Sequence, residues 1–240
     1  MDLPFAAKRV VRALGFDVVR LKNVPRETFL NLASRRFDSI LDVGANDGGF
    51  AKSVVRRFPD AALHCFEPLP GPADALRRWA SSSGFSRITV HEIALSDREG
   101  EAEIIEHVDH SASSSLLPLT AEGASLFPFA ARSEKRLIRL TTLDAWAAAQ
   151  PGSLGRSLLK LDVQGFEDRV LRGGGRTMSS VDACIVEVSI ARLYDGQARF
   201  VDLVNALNEA GLTYFGNLEQ QHDKRGAPIF LDCVFVRPTA

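Results

Sequence analysis

Four apolar runs in this chain carry an acidic side chain at or near their end. Asp42 follows Ile40-Leu41, Glu67 follows Ala62–Phe66, Asp162 follows Leu158–Leu161, and Glu187 lies within Ala183–Val188. A carboxylate at the exit of a buried strand can bind a hydroxyl, orient a nucleophile or take its proton. Inside its run the Glu187 charge is costly unless something pairs with it, which makes that position a site candidate. The first acid opens a glycine-rich turn, Ile40-Leu41-Asp42-Val43-Gly44-Ala45-Asn46-Asp47-Gly48-Gly49-Phe50. Gly44 and Gly48 permit backbone angles and a close approach that a side chain would block. Strand, glycine turn and helix in this order cradle a nucleotide-like cofactor at the carboxyl edge of a parallel sheet.

The spacing narrows the choice of cofactor. A dinucleotide fingerprint, G-x-G-x-x-G, needs a second glycine where Asn46 stands. Asp42 and Asp47 also put negative charge where a pyrophosphate would lie. The same charge favours S-adenosylmethionine, which carries a sulfonium and an ammonium but no phosphate. Glu67, followed by Pro68, is placed to accept both ribose hydroxyls. A third apolar run, Ile88 to Ala94, would bring Ala94, Leu95 and Ser96 to the same edge as an adenine wall. Asp162-Val163-Gln164-Gly165 repeats the strand-to-turn design, so Asp162 points at the reactive end and Gln164 can hydrogen-bond a ligand; both residue types would equally suit a helix cap. His110 is a second candidate base, because its resting pKa suits proton transfer near neutrality. Ser113, Ser114 and Ser115 offer small donors and acceptors in what otherwise reads as a flexible linker. Asp162 and Glu187 alone make a thin oxygen shell, so no metal is expected.

The frame that must position these groups is ordinary. A chain of 240 residues, 45 % of them hydrophobic, can bury one full core. A net charge of -1 gives no electrostatic footprint for nucleic acid. Cys65, Cys184 and Cys233 each sit in an apolar run, an odd set without metal-ligand spacing, which predicts free thiols in a reducing, cytoplasmic setting. No run approaches a membrane span, and the basic N-terminus lacks the apolar core of a secretion signal. Residues 1–37 read as a basic helical cap with two short helices, one carrying Phe5, Val10, Val11 and Leu14, the other Phe29, Leu30, Leu32 and Ala33. Covering a sheet edge or the cofactor site is its expected role, and peripheral contact with an anionic surface is the other reading. Residues 38–240 form the cofactor-binding domain, with a serine-rich insertion or lid over 107–136. Leu212–Phe215 and Ile229–Val236 close the chain as an antiparallel pair around a polar loop.

Taken together, the ordered motifs resemble the FkbM-type S-adenosylmethionine-dependent methyltransferases. The residues that carry the likeness are L-D-V-G-A-N-D-G-G-F (41–50), F-E-P (66–68), A-L-S-D (94–97), S-S-S-L (113–116), T-L-D (142–144), K-L-D-V-Q-G-F-E (160–167), V-L-R-G-G (170–174) and E-V-S (187–189), across about residues 38 to 215. The resemblance implies an α/β, Rossmann-like, seven-stranded class I methyltransferase sheet with helices on both faces and the last strand antiparallel. It also implies O-methylation of a sugar, glycan or secondary-metabolite hydroxyl with S-adenosyl-L-methionine as donor. By motif position Asp42, Gly44, Asn46 and Glu67 would bind the cofactor, Asp162 and Glu187 would face the reaction centre, and Ser113 to Ser115 would close over it. Two other classes stay open: a nicotinamide-dependent oxidoreductase, disfavoured by Asn46 and Asp47, and a non-catalytic adenosyl-binding module.

Overall fold

The computed structural model describes residue 9 and residues 11–238. Its strands are β1 (Ser39–Val43), β2 (Ala62–Phe66), β3 (Ile88–His91), β4 (Ala94–Ser96), β5 (Gly100–His107), β6 (Ser133–Thr142), β7 (Ser157–Leu161), β8 (Val181–Ser189), β9 (Thr213–His222) and β10 (Pro228–Val236). Seven of them form one sheet in the order β3-β2-β1-β7-β8-β10-β9. β1 and β7 are buried at every position, as parallel strands covered on both faces must be. β10 runs antiparallel to both β8 and β9, so it alone opposes the rest. The strand order reverses between β1 and β7, and ligands collect outside the carboxyl ends of such a switch point.

Alternation along the strands gives the sheet two apolar faces. On one, Leu41, Leu159, Leu161 and Val186 pack beneath Leu143 and Trp146 of the helix Leu143–Ala148, Val170 of Glu167–Arg172, and Leu203 and Leu207 of Phe200–Glu209. Leu203 and Leu207 are spaced four apart, one helical turn, and burying each contributes about 1.5–3 kcal/mol. On the other face Ile40, Leu158, Ile185 and Val234 meet Val54 of the helix Gly49–Val54 and Leu76 of Pro70–Ser82.

Three expectations need correction. The run Ile88 to Ala94 is not one strand: β3 ends at His91, and Ala94–Ser96 leaves the main sheet to pair with β6 in a separate three-stranded sheet, β4-β6-β5. The break falls at Glu92, whose carboxylate is held by Arg77 at 2.8 Å while its carbonyl accepts from Arg139. The serine-rich stretch is not a linker either. It folds as a short 3-10 turn (Ser111–Ser113), a bridge from Ser115 to Ile105, and a helix over Ala121–Leu126 whose N-terminal Thr120 hydroxyl accepts from Gly123 N. Finally, the polar loop between the last two strands is short, because β9 continues to His222; its outer half carries exposed polar side chains, as an edge strand tolerates, and so shows no apolar alternation.

The N-terminal segment splits in two. Phe5 and Val10 lie outside the described residues. Leu14, Phe16 and Leu21 are exposed. Residues 25–34 cap the sheet: Phe29 and Leu32 are buried against Phe58 and its neighbours, and Arg26 pairs with Glu219 of β9 at 3.0 Å. Among the described residues no helix is long and apolar enough to cross a membrane.

Candidate active site

The carboxyl ends of β1, β2 and β7, roofed by residues from Ser111 to Leu116, line one cavity. Its apolar lining includes Phe66, Leu69, Ile93, Leu95, Ile104 and Leu116, and its polar lining Asn46, Glu67, Asp162 and Gln164. Two carboxylates line it, and among the described residues no lysine, arginine or histidine does.

The glycine turn is built by close approach. Gly44 has φ +80°, and a Cβ there would lie 1.9 Å from the Asp162 carbonyl oxygen. Only glycine lets the exits of β1 and β7 lie this close, joined by Asp162 N donating to Val43 O at 3.0 Å. Gly44 N and Ala45 N both donate to Phe66 O, which ties the turn to β2. Asn46 adopts a left-handed φ of 46°, which Asn tolerates better than most residues. Its N–H donates to Glu67 Oε2 at 2.9 Å, and its Oδ1 accepts from the Ser111 hydroxyl at 2.7 Å, linking floor to roof. Gly48 (φ +92°) does not line the cavity; a Cβ there would strike Leu76.

Glu67 spends one lone pair of each oxygen on backbone, Asn46 N and Leu69 N, and still faces the cavity. Burial pushes its carboxyl up to about 7, against those two hydrogen bonds. Asp42 lies under the turn, outside the cavity lining, and its Oδ2 is buried without a hydrogen-bond partner. Burial raises it also to about 7, although Lys160 pulls it down. Both are acids raised in the folded state above their usual values near 4, so between about pH 4.5 and 7 the folded chain binds more protons than the unfolded one and stability falls as pH rises. Ligand-free protein is therefore expected to lose thermal midpoint from pH 5 to 7.5. Glu67→Gln should flatten that slope by up to about 3 kcal/mol in unfolding free energy, read by denaturant melts at both ends.

At the exit of β7 the side chains interlock. Gln164, itself left-handed at φ 55°, donates from Nε2 to Asp162 Oδ1 at 2.7 Å and Glu187 Oε1 at 2.9 Å. Its Oε1 lies 2.7 Å from the Tyr194 hydroxyl, whose single proton is shared between that oxygen and Ser113 O at 2.9 Å. The Ser115 hydroxyl donates to Gln164 O at 2.7 Å, latching the roof to the turn. Asp162 Oδ2 accepts from Lys160 Nζ at 3.2 Å. Glu187 is 8 % exposed; burial and the neighbouring Asp162 charge hold its carboxyl well above the ordinary range, with Lys160 opposing.

Gly44, Asn46, Glu67, Pro68, Ala94, Leu95, Ser114, Ser115, Asp162 and Gln164 thus line one cavity, and Glu187 joins it through Gln164. Others do not reach it. Ser96 is fully buried beside Gly173 and donates to Asp97. Ser113 bonds His107 and His110. His110 leans on the Phe129 ring, outside the lining, which weakens its case as a base. Lys160 is the member not singled out from the sequence, whereas Tyr194 lies just beyond Glu187 in the chain. The argument that singles out Glu187, a charge inside an apolar strand, points equally to Lys160. No group of three His, Cys, Asp or Glu among the described residues is placed to hold a metal ion.

Comparison with known proteins places this geometry. Residues 42–214 match the Methyltransferase FkbM domain. The chain is 31 % identical over 166 residues to the 2-O-methyltransferase NoeI of Sinorhizobium fredii, covering 66 % of each. It is 29 % identical over 198 residues to the 31-O-demethyl-FK506 methyltransferase FkbM of Streptomyces tacrolimicus, covering 73 % of each. In fold it is similar to the crystal structure of a methyltransferase FkbM from Methylobacillus flagellatus, with a TM-score of 0.51 at 16 % identity over 83 % of this chain and 43 % of that one. The chain belongs to the FkbM family of S-adenosylmethionine-dependent methyltransferases.

Proposed function

We propose that the protein transfers a methyl group from S-adenosylmethionine to a hydroxyl of a sugar, glycan or secondary metabolite. The observation that carries this reading is the charge of the cavity: Glu67 and Asp162 line it and, among the described residues, no cation does, Lys160 holding Asp162 from outside the lining. A pyrophosphate would meet two acidic side chains with no lining cation to pair with it, which disfavours a nicotinamide cofactor; a sulfonium meets a favourable field. Both curated relatives carry O-methylation in their names.

The residues present fit this donor. Glu67 keeps free lone pairs facing the cavity for ribose hydroxyls, the apolar lining suits a flat base, and Ser114, Ser115 and Leu116 lie over it. When bound, S-adenosylmethionine supplies an electrophilic methyl group whose departure leaves a neutral thioether. The protein's own task is alignment and proton removal. Asp162 and Glu187, cross-linked by Gln164, orient the acceptor hydroxyl. Asp162, the carboxylate of the two that lines the cavity, takes the proton. Alignment is the larger contribution, worth ~7–11 kcal/mol when complete.

Incubation with methyl-labelled S-adenosylmethionine and a panel of hydroxyl-bearing acceptors tests this. The expected product gains one methylene in mass, with the label on oxygen. Cofactor binding without transfer to any acceptor would instead make the chain a binding module. Asp162→Ala is expected to lower turnover about 10²–10⁴-fold with donor affinity retained, read by comparing kcat with calorimetric Kd. Three free, buried cysteines suit a cytoplasmic setting. The exposed Leu14, Phe16 and Leu21 suit peripheral contact with a membrane surface.

A further inference from the structure

One face of the sheet carries a line of charge at its carboxyl edge. Asp42 of β1 is paired in register with Lys160 of β7, Lys160 with Ile185 of β8, and Glu187, two residues on, with Asp232 of β10. Strand periodicity therefore puts Asp42, Lys160, Glu187 and Asp232 on the same side. Lys160 lies within this line, with 7 % of its side chain exposed. Its ammonium spans two strands, reaching Asp162 Oδ2 at 3.2 Å and Asp232 Oδ1 at 3.4 Å. A lysine this buried is retained at a cost unless its partners hold it, and removing one charge of such a set leaves the others uncompensated.

We propose that Lys160, anchored on its far side by Asp232, is the positioning residue of the transfer site: it fixes the Asp162 carboxylate toward the cavity and sets how readily Glu187 gives up its proton. The assignment rests on the reading of the cavity as the methyl-transfer site. Lys160 touches neither donor nor acceptor in this scheme; it acts through Asp162, which passes the constraint to Gln164 and so to Glu187.

The electrostatic signs follow from the groups that face one another. Burial works against the Lys160 charge, yet Asp162, Asp232, Glu187 and Asp42 together hold it above its ordinary pKa, so it stays a cation. Glu187 faces Asp162, Lys160, Asp232 and, from the first turn of the helix Glu167–Arg172, Glu167. Lys160 pulls the Glu187 midpoint down and Asp232 pushes it up. Neutralising Lys160 and neutralising Asp232 must therefore move Glu187 in opposite directions. A merely structural role would lower stability in both variants and leave the Glu187 midpoint where it was.

The test needs no acceptor. Full-length protein labelled with ¹³C at the glutamate side-chain carboxyl is titrated by NMR, and the Glu187 resonance is assigned by its absence in Glu187→Gln. Lys160→Met is expected to raise the Glu187 midpoint by about one to three pH units, and Asp232→Asn to lower it. Lys160→Arg, which keeps the charge, should stay closer to wild type than Lys160→Met does. Should Lys160→Met fail to fold, Asp232→Asn still decides: an unchanged or raised midpoint overturns the proposal, as does a shift of both variants in the same direction. Wild-type calorimetry with S-adenosylmethionine runs alongside. Failure to bind there would remove the reading of the cavity and leave the titration to judge the lysine by itself.

Discussion

Gly44→Ala is expected to abolish binding of S-adenosylmethionine, with a loss of affinity above about a hundredfold, and to destabilise the fold by about 2–4 kcal/mol. Two penalties add. The left-handed φ of +80° costs an L-residue roughly 1–2 kcal/mol. The new Cβ would stand 1.9 Å from Asp162 O and 2.9 Å from its carbonyl carbon, both backbone atoms that no rotamer change can move. Relief requires the exits of β1 and β7 to separate, which breaks the bond from Asp162 N to Val43 O and widens the cavity floor where the donor would rest. Gly49→Ala is the matched control. It lies five residues on in the same turn, a Cβ there meets nothing within 4 Å, and its φ is not left-handed. Calorimetry and thermal melts on the two variants should differ sharply; equal behaviour would show that the close approach at Gly44 has no role.

Glu67→Ala carries the second large effect. The carboxylate serves the protein and the ligand at once, through backbone bonds to Asn46 N and Leu69 N and through the lone pairs it turns to the cavity. Its loss leaves two buried donors unpaired, at about 1–3 kcal/mol each. It also removes the acceptor for the ribose hydroxyls, where hydrogen bonds to a charged group contribute about 1.5–3 kcal/mol. A hundredfold or greater fall in donor affinity is expected. The pH dependence is a separate signature of the same residue. Burial holds Glu67 near 7 in the free protein, and only the carboxylate accepts both hydroxyls. Affinity should therefore rise with pH up to about 7, falling toward tenfold per unit below it, and Glu67→Gln should flatten the curve. A wild-type affinity independent of pH from 5.5 to 8 would contradict this.

What could be read from the chain depended on how local its cause was. The turn at Gly44 and Asn46 was legible because backbone sterics act within a few residues, and Glu67 because a strand that ends against such a turn must deliver its last side chain there. Asp162 and Glu187 stood out as acids against apolar runs. The three-residue strand Ala94–Ser96 was not legible as a separate unit, since its partner begins 37 residues after Ser96, at Ser133, and so short an apolar run has no periodicity of its own. The same holds for the second anchor of Lys160: Asp232 is 72 residues distant in the chain, and only the antiparallel insertion of β10 beside β8 brings it near. His110, a candidate base by residue type alone, lies against the Phe129 ring outside the cavity lining.

The central claim is that the cavity's negative charge selects a cationic methyl donor over a diphosphate cofactor. Calorimetric titration of wild-type protein with S-adenosylmethionine and, in parallel, with NADH tests it most directly. One site for the methyl donor, lost in Glu67→Ala, with no heat from NADH, is the predicted result; NADH binding as tightly as S-adenosylmethionine would contradict it.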